Sequence, residues 1–251
     1  GFAGETLIDE LAAKLSMDPI DFRLLNAAKE GTRRVTGIPY KKVGYVETLE
    51  AAKAHPHYNA PLGGPNRGRG VATAVCNNIT GPACAVVSLQ QDGSVGLVEG
   101  SADLAGSRTA AAMHVAEVLG ITVEEVHPSV GDTDSIGYTA ISAGSSAVYK
   151  TGWASFEAAR DLQRQLAARA ALIWDVPVEE VDIADGVFSH RSDPELRLTL
   201  KELAARQNTT GGPLLGRAGG AWGGESPGFA VHIVDVEVDP ETGKTDSTRD
   251  M

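Results

Sequence analysis

Residues 55–70 (HPHYNAPLGGPNRGRG) constrain the fold more than any other stretch, because the hydrophobic period changes across them. Proline removes a backbone donor and glycine raises the entropic cost of order, so neither helix nor strand runs far through such a segment. Before it, apolar residues recur at helical spacing. Leu7, Ile8, Leu11 and Leu15 share one face of a helix expected over residues 5–15. Asp18 and Pro19 then supply an N-cap and a first-turn proline. They predict a second helix that buries Ile20, Leu24 and Leu25 and ends near Gly31. A shorter third helix is expected over residues 46–54.

Beyond the segment the pattern alternates. Strands are expected at 70–75 and 83–89, with Asp92-Gly93 turning the chain into a strand at 95–99. A helix over 107–119, closed by Gly120, leads to a strand at 126–130. A long helix from about 145 to 174 follows, with Gly152 as its weak point. A strand at 181–183, a helix at 200–206, a strand at 230–238 and a turn at 239–244 complete the pattern. The expected fold is α+β, mixed sheets with packed helices, divided into residues 1–60 and 66–251. Residues 121–126 (ITVEEV) return 55 positions later as 176–181 (VPVEEV), each copy closing a helix and opening a strand. Duplication and coincidence both account for the echo.

With 33 Asp+Glu against 22 Lys+Arg, the net charge of −11 disfavours nucleic acid and anionic lipid. No apolar run approaches the roughly 20 residues of a membrane span. The opening residues lack the basic-then-apolar pattern of a secretion signal. Two cysteines, Cys76 and Cys84, make no disulfide framework, which predicts a reducing, cytoplasmic setting and two buried, inert thiols. The chain starts without Met and stops soon after a strand, so it is expected to be part of something longer.

Familiar catalytic patterns are missing. His55 and His57 have no carboxylate or thiol at metal-ligand spacing, and His114, His127, His190 and His232 stand singly. Glu124, Glu125, Glu179 and Glu180 fall at helix–strand junctions, where solvation is expected. No nucleophile–base pair emerges, so no catalytic residue and no metal ligand is assigned. What remains is two loops rich in glycine and hydroxyls, each opening a helix: residues 100–109 and 139–146. Small residues let a ligand approach the backbone, and free N–H groups at a helix start favour an anion. Arg108 adds a planar fork suited to phosphate. The competing reading is that Ser and Thr merely cap helices. Neither loop is a P-loop or a dinucleotide fingerprint.

Five strings in order resemble one known family. They are residues 5–27 (ETLIDELAAKLSMDPIDFRLLNA), Gly68-Arg69-Gly70-Val71-Ala72, Gly131-Asp132-Thr133-Asp134-Ser135, Gly144-Ser145 with Gly152, and residues 236–244 (VEVDPETGK). Together they are similar to the large, molybdenum-binding subunit of the xanthine dehydrogenase/aldehyde oxidoreductase family, across nearly the whole chain. The resemblance implies the helical end of a first molybdopterin-binding subdomain (1–60) and an incomplete second one (66–251). It implies molybdopterin or molybdopterin cytosine dinucleotide with molybdenum, and a hydroxylase of an aldehyde, purine or N-heterocycle that uses water-derived oxygen. Iron–sulfur and FAD groups would sit on partner chains or domains of a hetero-oligomer, alongside the remainder of the large subunit.

In that frame Ser142, Ala143, Gly144, Ser145 and Ser146 would hold the phosphate end of the cofactor. Gly106, Ser107, Arg108 and Thr109 would pass close to the pterin. Many relatives carry Gly-Gln-Gly where this chain has Ala105-Gly106-Ser107-Arg108. The family's catalytic glutamate would fall beyond Met251, and Glu225, which precedes the last strand, does not replace it. The isolated fragment is therefore expected to be inactive. A non-catalytic homologue or assembly module without cofactor is the alternative, and a free-standing anion-binding domain a third.

Overall fold

The computed structural model describes residues 1–76, 79–104, 106–224 and 227–250. The chain opens with helices α1 (Phe2–Lys14), α2 (Pro19–Asn26), α3 (Tyr45–Ala54) and α4 (Pro56–Asn59). Strands β1 (Arg67–Cys76), β2 (Pro82–Leu89) and β3 (Val95–Glu99) follow, then α5 (Ser107–Leu119), β4 (Val126–Val130), α6 (Thr133–Ile136) and α7 (Ala147–Trp174). Strands β5 (Val181–Ala184), β6 (Val187–His190) and β7 (Arg197–Thr199) precede α8 (Leu200–Arg206). Strands β8 (Leu215–Ala221), β9 (Gly228–Val238) and β10 (Thr245–Asp250) come last.

Two compact units result, one of residues 1–78 with 226–251, the other of 79–225. Their limits differ from the 60/66 boundary expected from the Pro/Gly-rich segment. Ten backbone pairs join β1 to β9, from Arg67–Glu237 to Cys76–Gly228, so the strand after the segment stays with the helices before it. In this unit β1, β9 and β10 form an antiparallel sheet. Ile20, Leu49, Ala52, Val71 and Ile233 form its core. The Asp18 carboxylate accepts from the N–H groups of Ile20 and Asp21, which starts α2 as expected. The helix stops at Asn26 rather than near Gly31, with Leu25 exposed. There the Asn26 amide donates to the Phe22 carbonyl and Ala27 turns extended.

The larger unit packs α5 and α7 on a four-stranded sheet of order β4-β3-β2-β8, with a second sheet β5-β6-β7. Strand alternation sends Ala83, Ala85, Val87 and Leu89 of β2, and Val95 and Leu97 of β3, into one core. An alanine- and leucine-rich stripe on α7 (Ala154, Ala158, Leu162, Leu166, Ala170) faces them. The strand β8 comes so close to α7 that a Cβ on Gly216 would lie 2.1 Å from the Ala158 carbonyl oxygen. Both copies of the repeated hexapeptide form a 3-10 turn leading into a strand, β4 and β5, but those strands lie in different sheets. Cys76 is exposed and Cys84 half-buried, so the expectation of two buried thiols fails: Cys76 ends β1, and Cys84 points away from the face carrying Ala83 and Ala85.

Candidate functional site

Parallel pairing sets the geometry. β3 and β4 run in parallel with α5 as the crossover between them. The segments that follow their carboxyl ends, 100–104 and 131–146, therefore leave the sheet on the same side, where open α/β sheets take ligands. α5 and α7 also run in the same direction. A Cβ on Gly152 would meet the His114 ring at 2.8 Å, and further along the Gln163 amide donates to the Val118 carbonyl at 2.6 Å. The N-termini of both helices thus open together.

The two loops are tied to each other. The hydroxyls of Ser101 and Ser142 are 3.0 Å apart. Gly144 and Ser145 both have left-handed backbones, φ 56° and 54°, and this delays the start of α7 to Ala147 instead of 145. A Cβ at Gly144 would lie 2.6 Å from the Ile79 side chain, so only glycine fits there without displacement. Ser146, buried, donates its hydroxyl to the Ala143 carbonyl at 2.7 Å and makes no cap on α7. Among the described residues no side chain accepts from the first N–H groups of α7, an arrangement suited to an anion. Ser142 is half-buried, while Ala143, Gly144 and Ser145 are exposed at the loop surface.

At α5 the chain supplies its own anion. The Asp103 carboxylate accepts from the Arg108 amide at 3.2 Å, from Arg108 Nε at 2.8 Å and from the Ser107 hydroxyl at 3.3 Å. The Arg108 side chain holds this carboxyl below its usual range. Ser107 is buried; Gly106, Arg108 and Thr109 are exposed. Of the fork expected from Arg108, the Nε is thus engaged by Asp103.

Beneath the loops lie two buried charges. Glu99, inward on β3, is 1% exposed, and one of its oxygens accepts from the Ser101 amide at 2.6 Å. Its other oxygen, Oε1, is buried with no hydrogen-bond partner. Burial pushes its carboxyl above the usual range. Lys150, in the first turn of α7 and also 1% exposed, donates Nζ to the carbonyls of Ala140 and, at 2.6 Å, Ile141. Burial pushes its ammonium down. Both were missed in the sequence, though the signals are there: Val95, Leu97 and Glu99 alternate onto the buried face, and Lys150 precedes Ala154 by one turn on the buried stripe. Beside Ser145 runs an apolar groove of about 590 Å³ walled by Tyr149, Trp153 and Phe156.

Among the described residues no group of three His, Cys, Asp or Glu could hold a metal. Ala105 and Glu225 lie outside those residues. His57, placed by its sequence in a carboxylate-free loop, is instead buried in α4 with Nε2 3.2 Å from Asp235 Oδ2. Arg69 grips the same carboxylate with Nε at 2.6 Å and Nη2 at 2.8 Å. The Arg69 hydrogen bond, with His57 adding to it, holds Asp235 at about 2.

The sequence profile described as a molybdopterin cofactor-binding domain matches residues 41–250. A xanthine dehydrogenase molybdenum-binding subunit of Escherichia coli O157:H7 is 28% identical over 258 residues, covering 95% of this chain and 34% of that protein. The nicotine 6-hydroxylase large subunit of Paenarthrobacter nicotinovorans is 25% identical over 272 residues, covering 96% of this chain and 33% of that protein. The chain spans about a third of the length of these relatives. In fold it matches quinoline 2-oxidoreductase from Pseudomonas putida 86 with a TM-score of 0.80 at 20% identity, covering 99% of this chain and 36% of that one. No helix is long and apolar enough to cross a membrane among the described residues. With a profile match that leaves only the first 40 residues and the last one unmatched, and mixed sheets and helices of the matching architecture, the chain belongs to the molybdopterin cofactor-binding domain family.

Proposed function

We propose that this chain is the cofactor cradle of a molybdenum hydroxylase large subunit. The observation that carries the reading is the common opening of α5 and α7, with their loops joined through Ser101 and Ser142 and the start of α7 left without a side-chain cap. Residues 142–146 would hold the phosphate end of molybdopterin or its cytosine dinucleotide, through backbone N–H groups and hydroxyls. Gly106, Ser107, Arg108 and Thr109 would lie along the pterin. The donor set fits: amides and hydroxyls suit phosphate oxygens, and the left-handed Gly106 has open space where a Cβ would be. When bound, the cofactor supplies two-electron oxidation of a carbon beside nitrogen or oxygen, with oxygen drawn from water. This chain's own part is binding and orientation. Residues 1–60 would close a first cofactor-binding subdomain and 66–251 form most of a second. Iron–sulfur and FAD groups on partner chains would carry electrons away in a cytoplasmic hetero-oligomer, whose substrate is an aldehyde, a purine or an N-heterocycle.

Asp103 favours a second reading. Its carboxylate already fills the start of α5, as it would in a homologue that keeps the fold without cofactor. Incubating the complete protein with each substrate class, an artificial electron acceptor and ¹⁸O-labelled water separates the two. Labelled hydroxylated product supports the hydroxylase; folded protein that holds no molybdenum and turns over none of the classes supports the cofactor-free homologue.

A further inference from the structure

The buried charges under the loops are unusual in placement, since each contacts a different loop and neither reaches the surface. Glu99 takes the amide of Ser101, at the start of the first loop, while Lys150 gives two of its three protons to carbonyls of the second. The Ser101–Ser142 hydroxyl contact lies between the two anchor points. Hydrogen bonds with an ionised partner are about twice as strong as neutral ones, and a buried charge is costly without its partners. The chain therefore commits two buried ionisable side chains to holding backbone atoms in place.

We propose that Glu99 and Lys150 are positioning residues that hold segments 100–104 and 139–146 at a fixed mutual spacing, so that the cofactor meets a preformed cradle. This rests on the reading of the two loops as that cradle. Lys150 fixes the Ala140 and Ile141 carbonyls, which directs residues 142–146 towards the ligand side. Glu99 fixes Ser101, and through its hydroxyl Ser142. Burial, which raises the Glu99 carboxyl and lowers the Lys150 ammonium, agrees with groups retained for position at the expense of solvation.

Lys150→Met keeps the unbranched side chain, one atom shorter, and removes the donors. In the complete protein, with partner chains present and prepared with and without cofactor, amide hydrogen exchange and pterin content per folded chain are measured together. The expected result is exchange at residues 140–146 faster by at least about tenfold, the scale of one lost charge-assisted hydrogen bond, with the core of α7 unchanged. Lys150→Gln keeps one amide donor, guards against a folding failure, and should give a smaller effect at the same residues. Glu99→Gln keeps an acceptor for Ser101 and should loosen the first loop less than Lys150→Met loosens the second. Exchange that rises uniformly along the unit, or stays unchanged in the loop, overturns the proposal. Faster loop exchange with fully retained pterin leaves the anchoring intact but overturns the assignment of these loops as the cradle.

Discussion

At the scale of single residues, the two ends of the candidate cradle differ in what they still offer. The start of α7 is uncapped and its loop is bent by Gly144 and Ser145, whereas the start of α5 is met by Asp103. Gly144→Ala puts a Cβ into both a left-handed backbone and the Ile79 side chain, and should cost about 1–2 kcal/mol in urea unfolding. An unchanged midpoint would show that this turn is not fixed as described. Arg108→Ala removes a pair whose arginine side chain is 44% exposed, so its stability effect should stay within about 1 kcal/mol. Its cofactor content should nevertheless fall if the guanidinium turns to a phosphate; a variant with full cofactor would remove Arg108 from the site. Asp235 gives a pH signature. Its folded pKa, about 2, lies below its ordinary 3.8. The stabilisation is therefore complete above the ordinary value and is lost as pH falls through the folded one. Measured by urea unfolding, the advantage of the wild type over Asp235→Asn should shrink as pH falls from about 5 towards 2; a constant difference across that range would contradict the Arg69–Asp235 pairing.

Among the elements, close approach decides which glycines matter. Gly216→Ala would force β8 and α7 apart and should destabilise by about 3 kcal/mol, the upper range for overpacking. Gly70→Ala, on β1 with open space where its Cβ would go, should be neutral or slightly stabilising in the same unfolding experiment. Equal effects at the two sites would contradict the packing of α7 on β8. Periodicity made many elements legible: α5, β4 and α8 have the limits expected from the sequence, because a glycine, a capping threonine or a change of period marks each end. Strands β6, β7, β8 and β10 were not legible: β6 and β7 are short, β8 is glycine-rich (LGRAGGA), and residues 245–250 are wholly polar and exposed, so no alternation marks them. The pairing of β1 with β9 joins residues about 160 positions apart, which local pattern does not encode. The two loops were visible as glycine- and hydroxyl-rich helix starts. Their anchors, Glu99 and Lys150, are less legible: charged residues are mostly exposed, and only a place on an apolar stripe marks these two as buried.

For the whole molecule, the family follows from the profile match over residues 41–250, and the relatives are about three times as long as this chain. Large apolar side chains such as Phe2, Leu25, Val35 and Tyr138 stand more than half exposed in this chain alone. The 251 residues expressed by themselves should therefore self-associate in light scattering, and a monodisperse monomer at all concentrations would contradict that expectation. The central claim is that the chain holds a molybdenum–pterin cofactor. Its most direct test is molybdenum by elemental analysis together with acid-released pterin, on natively purified complete protein from a host that makes the cofactor. Near-stoichiometric metal and pterin are predicted. A folded sample holding neither would contradict the cradle.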